Sequence, residues 1–289
     1  MPVVNVMSKN KLLLFILIIV IFFPINAFAW GPASHISIGL YVFDNLNLLI
    51  SQVTDVILKY PYYFLYGCIS PDVLIGKGKK ISKAPTHNWN TGFSLLKSND
   101  MRVKSYSLGY LSHLASDVIA HNYFVPNMLQ LFKLNRGKIF HVLIEGLIDR
   151  SLNRELIILK DLLKRDFKDV DLLLRKTIKN KKTTFKIKKV LFKKGISLNL
   201  FRSTSKEING GMIEKKLHSS WDYVTDMLDM SKKLTIEILN KQEKSNLINY
   251  DPMGFKHLKV AKLSNKFSFK NKHKGVVPFF VPSMYILNL

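Results

Sequence analysis

Residues 109–124 combine a mostly apolar run with three polar side chains at equal intervals. The stretch reads GYLSHLASDVIAHNYF, and His113, Asp117 and His121 recur every four positions. No proline or glycine follows Gly109, so this periodicity predicts a helix. Four residues advance an α-helix by slightly more than one turn, so the three side chains project from nearly one face. Buried polar groups in a line are costly unless they are paired or coordinated, which makes this face a candidate metal site.

A second apolar segment, residues 138–152, repeats that arrangement. His141 and Glu145 are four positions apart in KIFHVLIEGLIDRSL, again on one face of a predicted helix. A lone buried pair of this kind is more often a core hydrogen bond than a metal site. Next to a helix that carries two histidines and an aspartate, however, the pair favours zinc, because His, Asp and Glu are ligands that suit hydrolytic zinc sites.

The remaining pattern is also mostly helical and predicts an all-α protein. We expect one helix from Ser34 to about Tyr60, one from Ile139 beyond Leu163, and one across residues 219–242. Strand signals are few. A basic loop is expected at residues 176–195, and Val190 to Leu200 has extended character.

The domain organisation follows from the same pattern. No internal repeat and no Gly/Ser-rich linker marks a second domain. A chain of 289 residues suits one large domain or one domain with an appendage. We therefore expect a single mostly helical domain over residues 30–250 and a basic, less regular tail over residues 251–289.

The first 29 residues have the order of an export signal. Lys9 and Lys11 precede an apolar run over residues 12–23, and Ala27-Phe28-Ala29 is a small-residue cleavage site. Residues 1–29 are therefore predicted to be a signal peptide, and the mature protein is predicted to be exported, either periplasmic or secreted. The alternative is an uncleaved N-terminal membrane anchor, which the proline and asparagine before the cleavage site disfavour.

The charge of the chain narrows the choice of partners. The formal net charge is +24, and loss of Lys9 and Lys11 with the leader leaves +22. Such a chain attracts anionic lipid headgroups or nucleic acids. Arg175 to Lys194 contains many Lys or Arg residues, no acid and interleaved apolar residues. This composition indicates either a contact with an anionic membrane or with nucleic acid, or a solvated basic segment. The lone Cys68 cannot form an internal disulfide.

Two further candidate ligands lie upstream of the helix pair. Asp72 follows a proline in CISPDVLIGKGKK, and His87 lies in APTHNW. Taken alone, a loop aspartate is usually a turn or capping residue, and a loop histidine usually lies on the surface. His218, His257 and His273 have no ligand-like spacing and are interpreted as ordinary surface or packing residues.

Taken together, the order of these residues resembles the zinc-dependent phospholipase C family, whose wider fold group includes the S1/P1 nucleases. The resemblance covers about residues 30–150 and rests on nine positions, which are Trp30, His35, Asp72, His87, His113, Asp117, His121, His141 and Glu145. In that family the mature chain begins with a tryptophan whose α-amine and carbonyl oxygen bind zinc. Trp30 directly after the Ala-Phe-Ala site matches that role, because an amine released by cleavage can ligate a metal and a peptide nitrogen cannot readily do so.

The resemblance implies about three zinc ions. It divides the nine positions into three ligand sets, which are Asp72, His87, His113 and Asp117; His121, His141 and Glu145; and Trp30 and His35 with Asp117 as a bridge. The implied reaction is hydrolysis of a phosphodiester by a metal-activated water, with Asp72 orienting or deprotonating that water as a catalytic residue.

Phospholipid is the substrate that this resemblance favours. The four-residue step from Asp117 to His121 resembles the glycosylphosphatidylinositol-specific phospholipase D branch of the family, whereas the five-residue step from Trp30 to His35 resembles the nucleases. The headgroup and the ester bond that is cut therefore stay open. The alternatives are a zinc-dependent single-strand nuclease of the S1/P1 type and a non-catalytic zinc- or lipid-binding protein.

Overall fold

The computed structural model describes residues 30–73, 85–132, 137–179, 182–197, 217–271 and 279–289. The α-helices are α1 (Pro32–Asp44), α2 (Ser51–Lys59), α3 (Pro61–Gly67), α4 (Ser70–Val73), α5 (Trp89–Leu96), α6 (Met101–Ile119), α7 (Val125–Leu131), α8 (Gly137–Ser151), α9 (Asn153–Leu162), α10 (Lys168–Thr177), α11 (Lys182–Ser197), α12 (Trp221–Lys241), α13 (Phe255–Asn271) and α14 (Met284–Leu287). Short 3₁₀ turns lie at Leu46–Leu48, Gln242–Lys244 and Asn246–Asn249. No strand occurs in these ranges, which confirms the predicted all-α fold.

Helix α6 is the centre of the fold. The carboxylate of Asp100 caps its start by accepting a hydrogen bond from the Arg102 backbone N–H at 2.8 Å. Every residue from Ser105 to Ile119 is buried, because α3, α5 and α12 pack around this helix. A helix that is surrounded in this way buries its polar residues along with its apolar ones.

One glycine lets α3 approach α6 closely. A Cβ at Gly109 would overlap the carbonyl oxygen of Phe64 on α3. The absence of a side chain brings the two backbones into contact at this point. Because α4 follows α3 within three residues, this close approach also brings Asp72 towards α6.

Helix α6 continues into a π-helical turn over Ala120–Phe124. The Val125 backbone N–H bonds to the carbonyl oxygen of Ala120, five residues earlier, as a π-helix requires. Such turns are rare overall, but those that occur often lie at functional sites. His121 lies within this turn, so it stands on wider helical geometry than His113 and Asp117.

The expected long N-terminal helix is two helices, because α1 ends at Asp44 and α2 begins at Ser51. The amide of Asn45 bonds to the Tyr41 carbonyl oxygen at 2.9 Å, which satisfies one of the last backbone acceptors of α1. Similarly, the predicted helix from Ile139 beyond Leu163 is interrupted at Leu152, between α8 and α9.

The expected basic loop at residues 176–195 and extended segment from Val190 to Leu200 are wrong for residues 176–177, which end α10, and for residues 182–197. Residues 182–197 form the helix α11. Phe185, Phe192 and Ile196 recur at spacings of seven and four, and all three are buried, so one face of this basic segment is a helical core face. The high lysine content had obscured that periodicity.

The predicted tail also contains regular structure. Helix α13 begins at Phe255 and packs against α7 and the π-helical turn. Leu258 and Ala261 on this helix are buried, and the His257 ring donates a hydrogen bond from Nδ1 to the Asn122 carbonyl oxygen at 2.7 Å. His257 is thus a packing residue. The leader and His273 lie outside the described residues, and among the described helices none is long and apolar enough to cross a membrane.

Candidate metal centre

Five of the predicted ligands meet in the interior beside α6. His113 and Asp117 lie one turn apart on α6, His35 lies on α1, Asp72 on α4, and His87 just before α5. Each of these residues is at most 3 % exposed. Four separate segments therefore bring histidines and carboxylates together in a place that water barely reaches.

The carboxylate of Asp117 faces histidines on two sides. Its Oδ2 atom lies 3.1 Å from Nε2 of His113 and 3.3 Å from Nε2 of His87. Its Oδ1 atom lies 3.5 Å from Nε2 of His35. The two oxygens of this carboxylate therefore face different imidazoles.

Asp72 lies opposite Asp117 in the same cluster. Its Oδ1 atom is 3.2 Å from Nε2 of His87 and 3.7 Å from Nε2 of His113, and its Oδ2 atom is 3.9 Å from Nε2 of His35. Two groups of three residues have ligand atoms within 4.8 Å of one another, namely His35 with Asp72 and His113, and His87 with His113 and Asp117. The five residues thus form one continuous cluster.

The Nδ1 atoms of the three histidines, which face away from the carboxylates, already have hydrogen-bond partners. Nδ1 of His113 donates to the Cys68 carbonyl oxygen at 2.9 Å, Nδ1 of His87 lies 3.1 Å from Thr86 Oγ1, and Nδ1 of His35 lies 3.1 Å from Ser116 Oγ. These partners turn each Nε2 atom towards the carboxylates. Such hydrogen bonds orient imidazoles that ligate a metal.

Several inner atoms of the cluster lack hydrogen bonds in the part of the chain that the structure describes. They are both carboxylate oxygens of Asp117, Oδ1 of Asp72 and Nε2 of His35. Buried polar atoms without hydrogen bonds are costly and rare in native proteins. Inner atoms that converge without hydrogen bonds, with their outer atoms held by partners, fit a set of metal ligands.

Charges within the cluster shift the pKa values of its members. Burial lowers the pKa of His87, but the close approach of the negatively charged Asp117 and Asp72 carboxylates outweighs burial and raises that pKa to about 9. Burial and the charge of His113 hold the pKa of His35 well below its usual value. Although burial raises the pKa of Asp117, the interaction with His113 outweighs burial and lowers it. A metal ion at this cluster must therefore displace a proton from His87.

The predicted second ligand set is only partly described. His121 and Glu145 are both buried. Burial and the negative charge of Asp72 raise the pKa of Glu145 well above its usual value. His141 lies one turn before Glu145 on α8, but its side chain is outside the described residues. Within the described part of the chain, neither His121 nor Glu145 joins a group of three ligands.

Trp30 is fixed by its indole ring. Nε1 donates to Ser231 Oγ on α12 at 3.0 Å, and the ring stacks on Phe124 with centroids 4.5 Å apart. The side chain is fully buried. Ligation by the backbone of Trp30 stays a prediction, because it depends on a cleavage in the leader, which lies outside the described residues.

Sequence reasoning missed Asp149. Its Oδ2 atom accepts a hydrogen bond from the Ala33 backbone N–H at 2.9 Å, and its Oδ1 atom accepts bonds from the backbone N–H and the hydroxyl of Ser34 at 3.0 and 2.8 Å. A carboxylate from α8 thus caps α1, whose own N-cap residue, Gly31, has no side chain. Burial raises the pKa of Asp149 to about 6 despite these bonds. The signal was present, since Asp149 follows His141 and Glu145 at the same four-residue step.

An all-helical fold around a buried cluster of histidines and carboxylates is compatible with a zinc-dependent hydrolase. The profile of the zinc-dependent phospholipase C family matches residues 34–195, which is more than half of the chain. The chain belongs to the zinc-dependent phospholipase C family, as its sequence resemblance indicated. No curated protein and no solved structure matches it.

Proposed function

We propose that this protein is a zinc-dependent phosphodiesterase that hydrolyses phospholipid. Membership of the zinc-dependent phospholipase C family supports the substrate class and the reaction. The observation that carries the proposal is the arrangement of Asp117, whose two buried oxygens face His35 on one side and His87 and His113 on the other.

The proposed ligands differ in the evidence that supports them. Asp72, His87, His113 and Asp117 are supported by their mutual distances, and His35 by its contact with Asp117. The assignment of Trp30, His121, His141 and Glu145 rests on the family pattern. About three zinc ions would leave the site positive, since their charge exceeds that of the carboxylates among these ligands.

Bound zinc would supply an acidified water and positive charge for a phosphodiester oxygen. The contribution of the chain itself begins with the five buried side chains, which exclude bulk water and so strengthen electrostatic interactions with an anionic substrate. Asp72 is the proposed catalytic residue, which would orient the attacking water or accept its proton. The hydrogen bonds to Cys68, Thr86 and Ser116 keep the imidazoles in place during the reaction.

The proposed site of action is outside the cytoplasm. Cleavage between Ala29 and Trp30 would release an α-amine at the residue that the family pattern assigns to zinc. Gly31 and Asp149 would then hold the new chain start beside α8, because Asp149 caps the first turn of α1. Export and the completion of the metal centre would therefore be coupled.

A contact between the basic segment Arg175–Lys194 and an anionic membrane remains part of the proposal. Part of its charge is used internally, since Lys189 pairs with Asp171 and Lys188 is buried. Lys186 and Lys194 are exposed next to Ile187 and Val190, which are 50 % and 51 % exposed. This outer face of α11 would supply the contact.

The function is tested by assaying the processed, zinc-loaded protein on three substrates: phosphatidylcholine vesicles, phosphatidylinositol glycans and single-stranded nucleic acid. We expect release of a phosphorylated headgroup or of phosphatidic acid from lipid and no cleavage of nucleic acid. Asp117→Asn should abolish lipid hydrolysis, whereas Asp229→Asn on the surface should not. Cleavage of nucleic acid alone would overturn the proposal in favour of a nuclease, and no turnover of any substrate would favour a binding protein.

A further inference from the structure

The C-terminal segment exposes an unusual amount of apolar side chain. Phe279, Val281 and Met284 are 63 %, 62 % and 69 % exposed. They are separated by at most three positions and have no charged residue among them. Single exposed apolar residues are ordinary, but several together mark a surface that binds a partner or a membrane.

This exposure does not come from a loose chain end. The backbone N–H and carbonyl of Phe280 both bond to the side-chain amide of Asn127, at 2.8 and 2.9 Å. The Tyr285 hydroxyl donates to Oε1 of Glu237 at 2.6 Å, and Ser283 Oγ lies 2.6 Å from the Tyr250 hydroxyl. The segment is thus held at three points, and it presents its apolar side chains at a fixed place.

The sequence around this segment is strongly basic. The Phe280 ring lies 4.9 Å from the ring of His257 on α13, and Lys256 and Lys259 on that helix are exposed. From residue 252 to the last residue the sequence has no Asp or Glu, while its lysines are Lys256, Lys259, Lys262, Lys266, Lys270, Lys272 and Lys274. Lysines beside exposed apolar groups are typical of proteins that lie on anionic membranes.

The same segment is connected to the interior through aromatic rings. Phe279 contacts Tyr223 at 5.9 Å, Tyr223 contacts Phe124 at 6.2 Å, and Phe124 stacks on Trp30. Trp30 is five residues from His35 of the candidate metal centre. The apolar surface therefore lies three ring contacts from the chain segment that the metal centre uses.

We propose that Phe279, Val281 and Met284 form a membrane-docking surface, which inserts into the headgroup region of an anionic bilayer while Lys256 and Lys259 of α13 contact the lipid phosphates. This inference rests on the proposed function, because it assigns the surface through which the protein binds the bilayer that contains its phospholipid substrate. It differs from a contact through α11, whose lysines are partly paired or buried within the protein.

The first experiment places an environment-sensitive fluorophore on the surface. Cys68 is the only cysteine and is 1 % exposed, so Met284→Cys can be labelled selectively in the full processed protein. Ile157→Cys is the matched control, because Ile157 is 70 % exposed and lies on α9. On addition of phosphatidylcholine–phosphatidylglycerol vesicles, emission should rise and shift to the blue for the label at position 284 but not for the label at 157.

The second experiment measures vesicle binding by flotation. Phe279→Ser with Met284→Ser should weaken binding at least about tenfold, since each side chain would lose its burial in lipid, whereas Ile157→Ser should have no effect. Lys256→Gln with Lys259→Gln should weaken binding to vesicles that contain phosphatidylglycerol and reduce its dependence on salt. All of these positions are exposed, so helicity should stay unchanged.

Several outcomes would overturn the docking surface. They are unchanged binding of the Phe279/Met284 variant, an equal loss in the Ile157 control, and a label response at 284 that depends on protein concentration without lipid, which would indicate self-association. Hydrolysis of a soluble short-chain phosphatidylcholine is measured separately. Vesicle binding without that hydrolysis would refute the proposed function but leave the docking surface in place, and hydrolysis without vesicle binding would do the reverse.

Discussion

The carboxylate of Asp149 occupies the space that a side chain at Gly31 would need. A Cβ built on Gly31 would overlap the Asp149 carboxyl group, although the backbone of Gly31 is extended and suits any residue. Glycine is therefore required here for space and not for its conformation. The same carboxylate bonds to the first turn of α1, so it fixes the chain between Trp30 and His35.

This relationship predicts that the effects of two substitutions are coupled. Gly31→Ala should lower the free energy of unfolding by about 1–3 kcal/mol through overpacking. In an Asp149→Ala background, the space is open and the same change should cost much less. Denaturant unfolding of the two single variants and the double variant measures the coupling. An equal cost of Gly31→Ala in both backgrounds would contradict this account.

Asp117→Asn should be the most damaging single change at the metal centre. It removes the charge from the carboxylate whose oxygens face His35, His87 and His113, and we expect loss of more than one zinc ion with loss of hydrolysis. Zinc content by elemental analysis checks this result, with Asp229→Asn as the control because Asp229 pairs with Lys232 at the surface. Full zinc content in the Asp117 variant would show that the carboxylate does not bridge.

The part of the site on α6 could be predicted from periodicity alone. His113 and Asp117 share a face because four residues make about one helical turn, and the structure has both on one regular helix. His35, Asp72 and His87 come from three other segments. No local pattern brings such residues together, so only the resemblance to a family connected them.

Other features were beyond sequence reasoning for physical reasons. The α11 helix was missed because many lysines are interleaved with its buried apolar positions. Asp149 continues the four-residue step of His141 and Glu145, but it was missed because its partners, two backbone N–H groups and the Ser34 hydroxyl, lie more than a hundred positions away in the sequence. The break between α1 and α2 depends on local bonds such as that from Asn45 to Tyr41, whereas the apolar pattern runs on past Asp44.

Zinc should stabilise the protein more strongly as the pH rises. In the metal-free protein the pKa of His87 is about 9, above its ordinary value of 6.5, because Asp117 and Asp72 outweigh the effect of burial. Protonated His87 thus stabilises the metal-free fold below pH 6.5, and that contribution is lost as the pH rises towards 9. Zinc needs the neutral imidazole, so the proton competes with it across the same range.

The measurement is the difference in melting temperature between zinc-loaded and chelator-treated protein at a fixed free zinc concentration. The difference should increase from pH 6.5 to pH 9. Calorimetry at neutral pH in buffers of different ionisation enthalpy should also detect proton release on zinc binding. His218→Gln, at an exposed histidine, should leave both results unchanged. A pH-independent difference would argue against His87 as a ligand.

Gly254 should help to position His121, although the two residues are more than a hundred positions apart in the sequence. Its φ angle is +55°, and a Cβ at this position would overlap the carbonyl oxygen of His121. Gly254→Ala should therefore cost at least about 1 kcal/mol in strain and displace the π-helical turn. We expect lower zinc content than in wild type at a temperature where the variant is still folded by circular dichroism. Unchanged zinc content would argue against His121 as a zinc ligand.

The start of the mature chain provides the sharpest test of the proposed metal centre. If the α-amine of Trp30 binds zinc, then a protein with Gly-Ser ahead of Trp30 moves the free amine by two residues and changes no side chain. The indole should stay bonded to Ser231 and stacked on Phe124, so helicity should be preserved. Zinc content should fall by about one ion, and hydrolysis should fall by orders of magnitude, because an electrostatic stabiliser of the transition state is lost.

The matched control for this extension adds Gly-Ser after Leu289 to a protein that begins at Trp30. Its zinc content and activity should equal those of the unextended protein. Intact mass and N-terminal sequencing, measured beside the zinc count, establish where each chain begins. Full activity in a protein whose chain begins before Trp30 would show that Trp30 is not a zinc ligand, because a peptide nitrogen cannot replace the free amine in that role.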